Sequence, residues 1–376
     1  MVRTPLTLAA LATAAVPGLE IARASWHSTG RTGDFDSALL ETSGGRRVLI
    51  RVPTSPTAEI EQGADLVALH ALSSGIRSHL PFGVPVVLGQ APYDGTRAVV
   101  YELLAGRPIT VDDVTGERAH GIGRAIAAIH SLPSGFVGDA GLPVQSADEV
   151  RESTVAIIDR AASTGQLPAA LRTRWLSAVA DAALWRFQPT AVNGALSAES
   201  LLVDGDRVAA VIGWSGLAVG DPARDLAWLM SAHPDATGDA LEAYERARQI
   251  GSDAALPRRA LLHAEVDLAR WLLHGHDLHD PVVIADAVAL LDDLVDRVHL
   301  GGVDALRAST GPVLTISQVE TMLAAGGPAG ESYAAGFAPL DDIEESDGQL
   351  TQPIEPLPLS GDEDTEASTD DQTSAS

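Results

Sequence analysis

One hairpin set among helices constrains this chain more than any other feature. Residues 191–229 read AVNGALSAESLLVDGDRVAAVIGWSGLAVGDPARDLAWL: a loop, two strand-like runs around the turn Asp204-Gly205-Asp206, a second loop and a helix start. In this reading Leu201–Val203 pairs with Val208–Ile212. Elsewhere, from about 115 to 300, apolar residues recur at helical spacing, as in ERAHGIGRAIAAIHSL and RALLHAEVDLARWLLHG.

The first hundred residues follow a different period. DFDSALLET, GRRVLIRVP and TRAVVYELL are rich in strand formers and bounded by turn residues such as Ser43-Gly44-Gly45. Between the last two lies AEIEQGADLVALHAL, with helical spacing at Ile60, Leu66, Leu69 and Leu72. The opening MVRTPLTLAALATAAVPG has the outline of a signal peptide, with an early Arg3, an apolar stretch and small residues. Thr7, Thr13 and Pro17 interrupt that stretch, however, and Leu8, Leu11 and Ala15 share one helical face. The segment therefore reads as an amphipathic helix packed on the first lobe, and a cytoplasmic location is expected.

Charge separates a third region. From residue 308 onward there are 14 acidic residues and no basic one, among abundant Pro, Gly, Ser and Thr. Such a segment buries too little apolar surface to offset its ordering entropy and is expected to be disordered. Only TISQVETMLAA, residues 315–325, reads as a short helix, with Ser317 and Glu320 in capping-box spacing. The expected organisation is a β-rich lobe over 1–104, a helical lobe with the hairpin over 105–312, and an acidic tail over 313–376.

Composition excludes several function classes. The chain has 376 residues, 45% of them hydrophobic, enough for two lobes with their own cores. Its net charge is -26, and without the tail 37 acids still face 25 bases, so nucleic acid and anionic membranes are poor partners. No run approaches the roughly 20 apolar residues of a membrane span. All 25 bases are arginine, which rules out chemistry that depends on a lysine ammonium. The absence of cysteine rules out disulfides, thiolate catalysis and zinc–thiolate sites.

The order of elements, with a small strand-rich lobe, a short connector and a helical lobe holding one hairpin, suggests an α+β, two-lobed kinase. At residues 191–229 the chain resembles the aminoglycoside phosphotransferase family, including its macrolide-phosphorylating branch, which has a protein-kinase-like fold. That family reads H-G-D-L-H-P-x-N, then a hairpin, then I-D-W, then G-D-P-x-x-D-L-A. Here the same frame reads NGALSAES, LLVDGDRVAAV, IGW and GDPARDLA. The likeness extends more weakly over about residues 5–300: VLIRVP is similar to the strand bearing the phosphate-contacting base, VVYELLAGRP to the inter-lobe hinge, and IGRAIAAIHSLP to the helix after it. GDFDSA is compatible with a phosphate-covering turn but lacks a glycine-rich signature.

The resemblance implies transfer of a nucleotide's terminal phosphoryl group to a substrate hydroxyl, by positioning and charge neutralisation. It also shows what is missing. The loop acid that accepts the hydroxyl proton is replaced by Ala195, the metal-binding amide by Ser200, the metal-binding acid of I-D-W by Gly213, and the bracing histidine by Asn193. Loss of a general base costs about 10²- to 10⁴-fold. Loss of the metal removes several kcal/mol more. A second echo of the loop, LLHGHDLHD at 272–280, fails because one continuous helical pattern follows it. Its His274, His276, Asp277, His279 and Asp280 read as a solvated helix end before Pro281 rather than as metal ligands, and no metal site is expected.

Other positions keep their groups. Arg51 stands where the strand base belongs, either as a bidentate phosphate clamp or as a solvent-facing residue, with Asp65 or Glu61 as its helix partner. Glu102 and Leu103, with Leu104, Val99 and Val100, form a candidate nucleotide pocket at the hinge. Asp221 and Asp225 carry structural roles by the same resemblance, holding the catalytic loop and capping the next helix. The expectation is a degenerate phosphotransferase that binds a small-molecule ligand or a protein partner, with ATP or another nucleotide left open and magnesium not expected. The alternative is a weak or rewired ATP-dependent phosphotransferase acting on a hydroxyl of an antibiotic-like or sugar substrate through substitute carboxylates. A third reading places the activity in the tail, with the lobes as scaffold.

Overall fold

A computed structural model of the chain describes residues 3–27, 34–248, 253–300 and 305–306. The chain divides into two compact units, Met1–Ser309 and Thr310–Ser376. The second, with the expected helix at 315–325, lies outside the described residues.

The first unit begins with helix α1 (Pro5–Ala15), entered through Thr4, whose side chain accepts from the Thr7 amide, and through Pro5 at the first turn. A five-stranded antiparallel sheet follows: β1 (Ile21–Trp26), β2 (Phe35–Thr42), β3 (Arg47–Pro53), β4 (Val87–Tyr93) and β5 (Thr96–Glu102), in the order β1-β2-β3-β5-β4. Strand alternation sorts its faces. Val48, Ile50, Val52, Ala98 and Val100 point to one side and bury Leu8 and Ala12 of α1 against them. Leu49, Val99 and Tyr101 point to the other side, into the core shared with the helical lobe. The end of α1 reaches the sheet at Gly89, where a Cβ would stand 2.1 Å from the Ala15 carbonyl oxygen, so only glycine fits.

Helix α2 (Pro56–Ala71) crosses between β3 and β4 and is followed by the single turn α3 (Ser74–Arg77). Leu69 and Leu72 are buried as their spacing predicts, but Ile60 is 75% exposed and lies off the core. The helical register places Ile60 on the far side of α2 from the buried Ala58, Gln62 and Leu69.

The helical lobe holds α4 (Gly116–His130), α5 (Gly135–Asp139), α6 (Ala147–Ser163), α7 (Ala169–Ala180), α8 (Pro234–Arg248), α9 (Leu256–Leu278) and α10 (Pro281–Leu300). The connector strand β6 (Arg107–Pro108) joins the hairpin β8 (Leu201–Asp204) and β9 (Arg207–Val211) in a small sheet of order β6-β8-β9. The two lobes are also linked by main chain: Gly83 donates to the Ala209 carbonyl at 2.8 Å and accepts from Val211 at 3.0 Å. The expected fold class, a β-rich first part and a helical second part, is the one observed. No helix among the described residues is long and apolar enough to cross a membrane.

Helices α4 and α8 approach so closely that a Cβ at Gly123 would lie 2.1 Å from the Ala240 carbonyl oxygen. This crossing sets His130 edge-on to Tyr244, with ring centroids 5.4 Å apart. Replacing Gly123→Val is expected to cost about 1–3 kcal/mol, because overpacking forces backbone apart. Urea denaturation would read the loss, and Gly135→Ala, where nothing lies within 4 Å of a new Cβ, serves as the neutral control.

Candidate functional site

The short strands β7 (Thr190–Val192) and β10 (Ala218–Gly220) pair antiparallel, Val192 opposite Ala218. That pairing brings the start of the 193–200 loop beside the run into Asp221. Backbones then touch: Gly194 has φ +77, and a Cβ there would meet the Gly216 carbonyl oxygen at 2.1 Å.

Asp225 anchors the loop. Its Oδ2 accepts from the Asn193 amide at 2.7 Å and its Oδ1 from the Gly194 amide at 2.7 Å. His130 Nε2 lies 3.1 Å from Oδ2, and His130 Nδ1 lies 2.9 Å from the Tyr244 hydroxyl. The carboxylate only accepts, so Nε2 is the donor in the contact with Asp225. Asn193 is fully buried and spends its side chain on the same segment. Its Nδ2 donates to the Gly213 carbonyl at 2.9 Å, and its Oδ1 accepts from the Ala195 amide at 3.2 Å.

Asp221 caps the 3-10 segment Pro222–Ser231 through the Ala223 amide at 2.9 Å. It also receives Arg259 Nε at 3.0 Å and His263 Nε2 at 2.9 Å. The Arg259 guanidinium is wholly buried, bonded further to Asp253 at 2.6 Å and stacked 4.4 Å from the Phe187 ring. Burial pushes the Asp221 carboxyl upward, but His263, Arg259 and the Ala223 amide outweigh it and hold the group below the usual aspartate value.

The positions expected to carry chemistry are brought together in part. Ser200 and Gly213 adjoin: a Cβ on Gly213, at φ +71, would lie 3.8 Å from Ser200 Oγ. Ser200 Oγ accepts from the Ser197 amide at 3.3 Å and lies 3.1 Å from Ser197 Oγ. Ala195 is exposed. The next residue after Gly213, Trp214, is fully buried, and its amide donates to Asp65 Oδ1 at 2.7 Å. Burial raises the Asp65 carboxyl, against the lowering effects of that amide and of Arg51.

Arg51 is half-buried on the inter-lobe face of the sheet, not solvent-facing. The Phe35 ring covers its guanidinium at 3.9 Å, and its buried Nε has no hydrogen-bond partner among the described residues. Asp65 interacts with it through charge rather than through a direct bond. Burial and the Asp65 charge push the Tyr101 hydroxyl up. At the hinge, Glu102 turns outward to Arg46 at 3.4 Å, and Leu103 is half-buried. Val100 belongs to the sheet face covered by α1, so strand alternation removes it from the candidate nucleotide pocket.

The polar run at 272–280 disperses. His274 stacks on Trp271, His276 bonds Gln166, Asp277 faces Arg160, His279 closes α9 in a left-handed conformation, and Asp280 caps α10. Among the described residues no group of three or more His, Asp or Glu is placed to hold a metal ion. Sequence reasoning did not single out His130, Tyr244, Arg259 or His263. The first sits in the quoted AIAAIHSL stretch, where a histidine in an apolar helical run signals a buried partner.

A β-sheet lobe linked to a helical lobe that carries an acid-anchored loop, a hairpin and a buried capping acid defines a kinase-like phosphotransferase architecture. The chain belongs to the phosphotransferase enzyme family (APH), whose sequence profile matches residues 30–263. Its fold is similar to the apoenzyme of macrolide 2'-phosphotransferase MphH from Brachybacterium faecium, with 23% identity, TM-score 0.64, and 77% of this chain and 98% of that one covered. It is also similar to the GDP and kanamycin complex of APH(2")-IIia, with 18% identity, TM-score 0.63 and coverage of 77% and 98%. The streptomycin-ATP ternary complex of APH(2")-IIa matches at 16% identity and TM-score 0.53, covering 76% and 97%. No curated protein matches the chain significantly by sequence.

Two measurements bear on this frame. Asp225→Ala would strand two buried amides and one imidazole, so it is expected to cost about 3–5 kcal/mol and to speed amide exchange at Asn193 and Gly194. Asp221, held below its unfolded pKa, contributes stability that is full above about pH 4 and is lost as pH falls through the lower folded value. Asp221→Asn should therefore be less stable at neutral pH and lose less on acidification, as urea midpoints measured from about pH 2 to about pH 7 would show.

Proposed function

We infer that this protein is a phosphotransferase-family member that binds ligand in its inter-lobe cleft without transferring phosphate. The observation that carries the reading is the Ser200–Gly213 contact: the two positions that would jointly grip a metal adjoin, and between them offer one neutral hydroxyl already shared with Ser197. A hard divalent cation needs several oxygen ligands, usually carboxylates. Asp65, the acid joined to this segment, is engaged by the Trp214 amide. These residues do not fit a magnesium ion.

What remains supports binding. Arg51 keeps an unpartnered buried Nε on the cleft face, a donor suited to a phosphate oxygen. The relatives' complexes contain GDP with kanamycin and ATP with streptomycin, which supports a nucleotide or a hydroxyl-bearing small molecule as the occupant. Ala195 offers no lone pair to a substrate hydroxyl, which supports assigning this cleft to recognition rather than turnover.

Thermal unfolding with ATP or GTP, in magnesium and in chelator, tests the reading. Stabilisation by nucleotide is expected to be the same in both. The restored triple variant Ala195→Asp, Ser200→Asn, Gly213→Asp is expected to make it magnesium-dependent, since aspartate is among the residues that tolerate the positive φ at 213. A magnesium-dependent shift in the unaltered chain, or ATP-dependent phosphorylation of kanamycin or a macrolide by it, would overturn the proposal.

A further inference from the structure

A cavity of about 1010 Å³ opens in the helical lobe, between the end of α4, the run into β7, the end of α8 and the start of α9. None of Arg51, Asp65, Ala195, Ser200 and Gly213 lines it. Its walls are of two kinds. Leu132, Phe187, Pro189 and Leu256 are apolar, while Arg186, Arg248 and Arg258 face Glu245 and Asp253.

Arg258 is bonded to Asp181 at 2.9 Å, and Asp253 receives the buried Arg259 at 2.6 Å. Arg248 donates from Nη1 alone, to the His130 carbonyl and to Ser131 Oγ, both uncharged acceptors. Arg186 is exposed and makes no hydrogen bond among the described residues. Arg186 acts on Asp181 through charge alone, so it and Arg248 are the arginines of this wall with no carboxylate hydrogen-bond partner among the described residues. Helix α9 begins in this wall without a side-chain cap, adding the positive end of a long helix. Thr190 Oγ1, in the same wall, is buried without a partner.

We propose that this cavity binds an organic anion with an apolar body. Its head meets Arg186, Arg248 and the start of α9, and its body packs on Phe187 and Leu256. A wholly apolar ligand would desolvate the arginines without return, and a bare inorganic anion would leave the apolar wall uncovered. The wall also includes Tyr244, whose hydroxyl bonds the fully buried imidazole of His130, which braces Asp225 and through it the amides of Asn193 and Gly194. Occupancy therefore steadies the 193–200 loop from behind. The site shares no residue with the cleft assigned above, so it stands or falls independently of that reading.

Fluorescence titration of the full chain with anilinonaphthalenesulfonate, a probe with an anionic head and an aromatic body, tests the site. Saturable one-to-one binding is expected, displaced by decanoate and not by ATP. Arg186→Glu should weaken it about 10-fold, the factor that ~1.4 kcal/mol sets. Arg186→Lys keeps the charge and should hold affinity within about 3-fold. Arg186 is exposed and free of hydrogen bonds among the described residues, and lysine keeps its charge beside Asp181, so Arg186→Lys should unfold at the temperature of the unaltered chain. Probe binding should also slow amide exchange at Asn193 and Gly194. Equal affinity in Arg186→Glu, or displacement by ATP, would overturn the site; unchanged exchange would overturn its link to the loop.

Discussion

The two oxygens of Asp225 hold the amides of Asn193 and Gly194, and one of them also holds His130. This carboxylate is fully buried, so each contact replaces water that the group cannot regain. Much of the helical lobe is arranged to keep it satisfied. The close α4–α8 crossing delivers His130 and Tyr244, and the Asp221–Arg259–His263 cluster fixes the opposite end of the segment that carries Asp225. Asp65 extends the same pattern into the first lobe, where a helix acid accepts a main-chain amide beyond the hairpin.

These contacts give a physical reason for the frame to need its three acids. Asp65, Asp221 and Asp225 each bond groups of the protein itself, so removing one leaves buried donors or a buried cation without a partner. The loop acid, the metal-binding amide and the metal-binding acid would instead face a cleft and a solvent-borne ion. Their replacement by Ala195, Ser200 and Gly213 strands nothing buried, and it removes like-charge crowding from an already acidic chain. The carboxylates that hold the frame together are thus a different set of positions from 195, 200 and 213.

Charge placement also separates the two concave regions of the first unit. In the cleft, one arginine lies under an aromatic ring beside a buried acid. In the rear cavity, three arginines and two acids line the wall, and two of the arginines have no carboxylate hydrogen-bond partner among the described residues. Both adjoin the anchored loop, through Asp65 and Trp214 on one side and through Tyr244 and His130 on the other.

The strands β2, β3 and β5, the helix α2 and the hairpin were legible because period and turn chemistry are local. The edge strands β1 and β4 and the two short strands β7 and β10 were not, since pairing partners far apart in sequence define them. Ile60 matched the helical pattern and yet lies outside the core, because a period cannot say which face another element will cover. By itself the sequence determined the two-part organisation, the family, and the absence of acid, amide and acid at 195, 200 and 213. Only the tertiary structure decided that Asp65 is engaged by Trp214, that Arg51 lies under Phe35, and that His130 completes the Asp225 anchor. Those contacts join residues 16 to 149 positions apart, and such distances are closed by packing rather than by any local pattern.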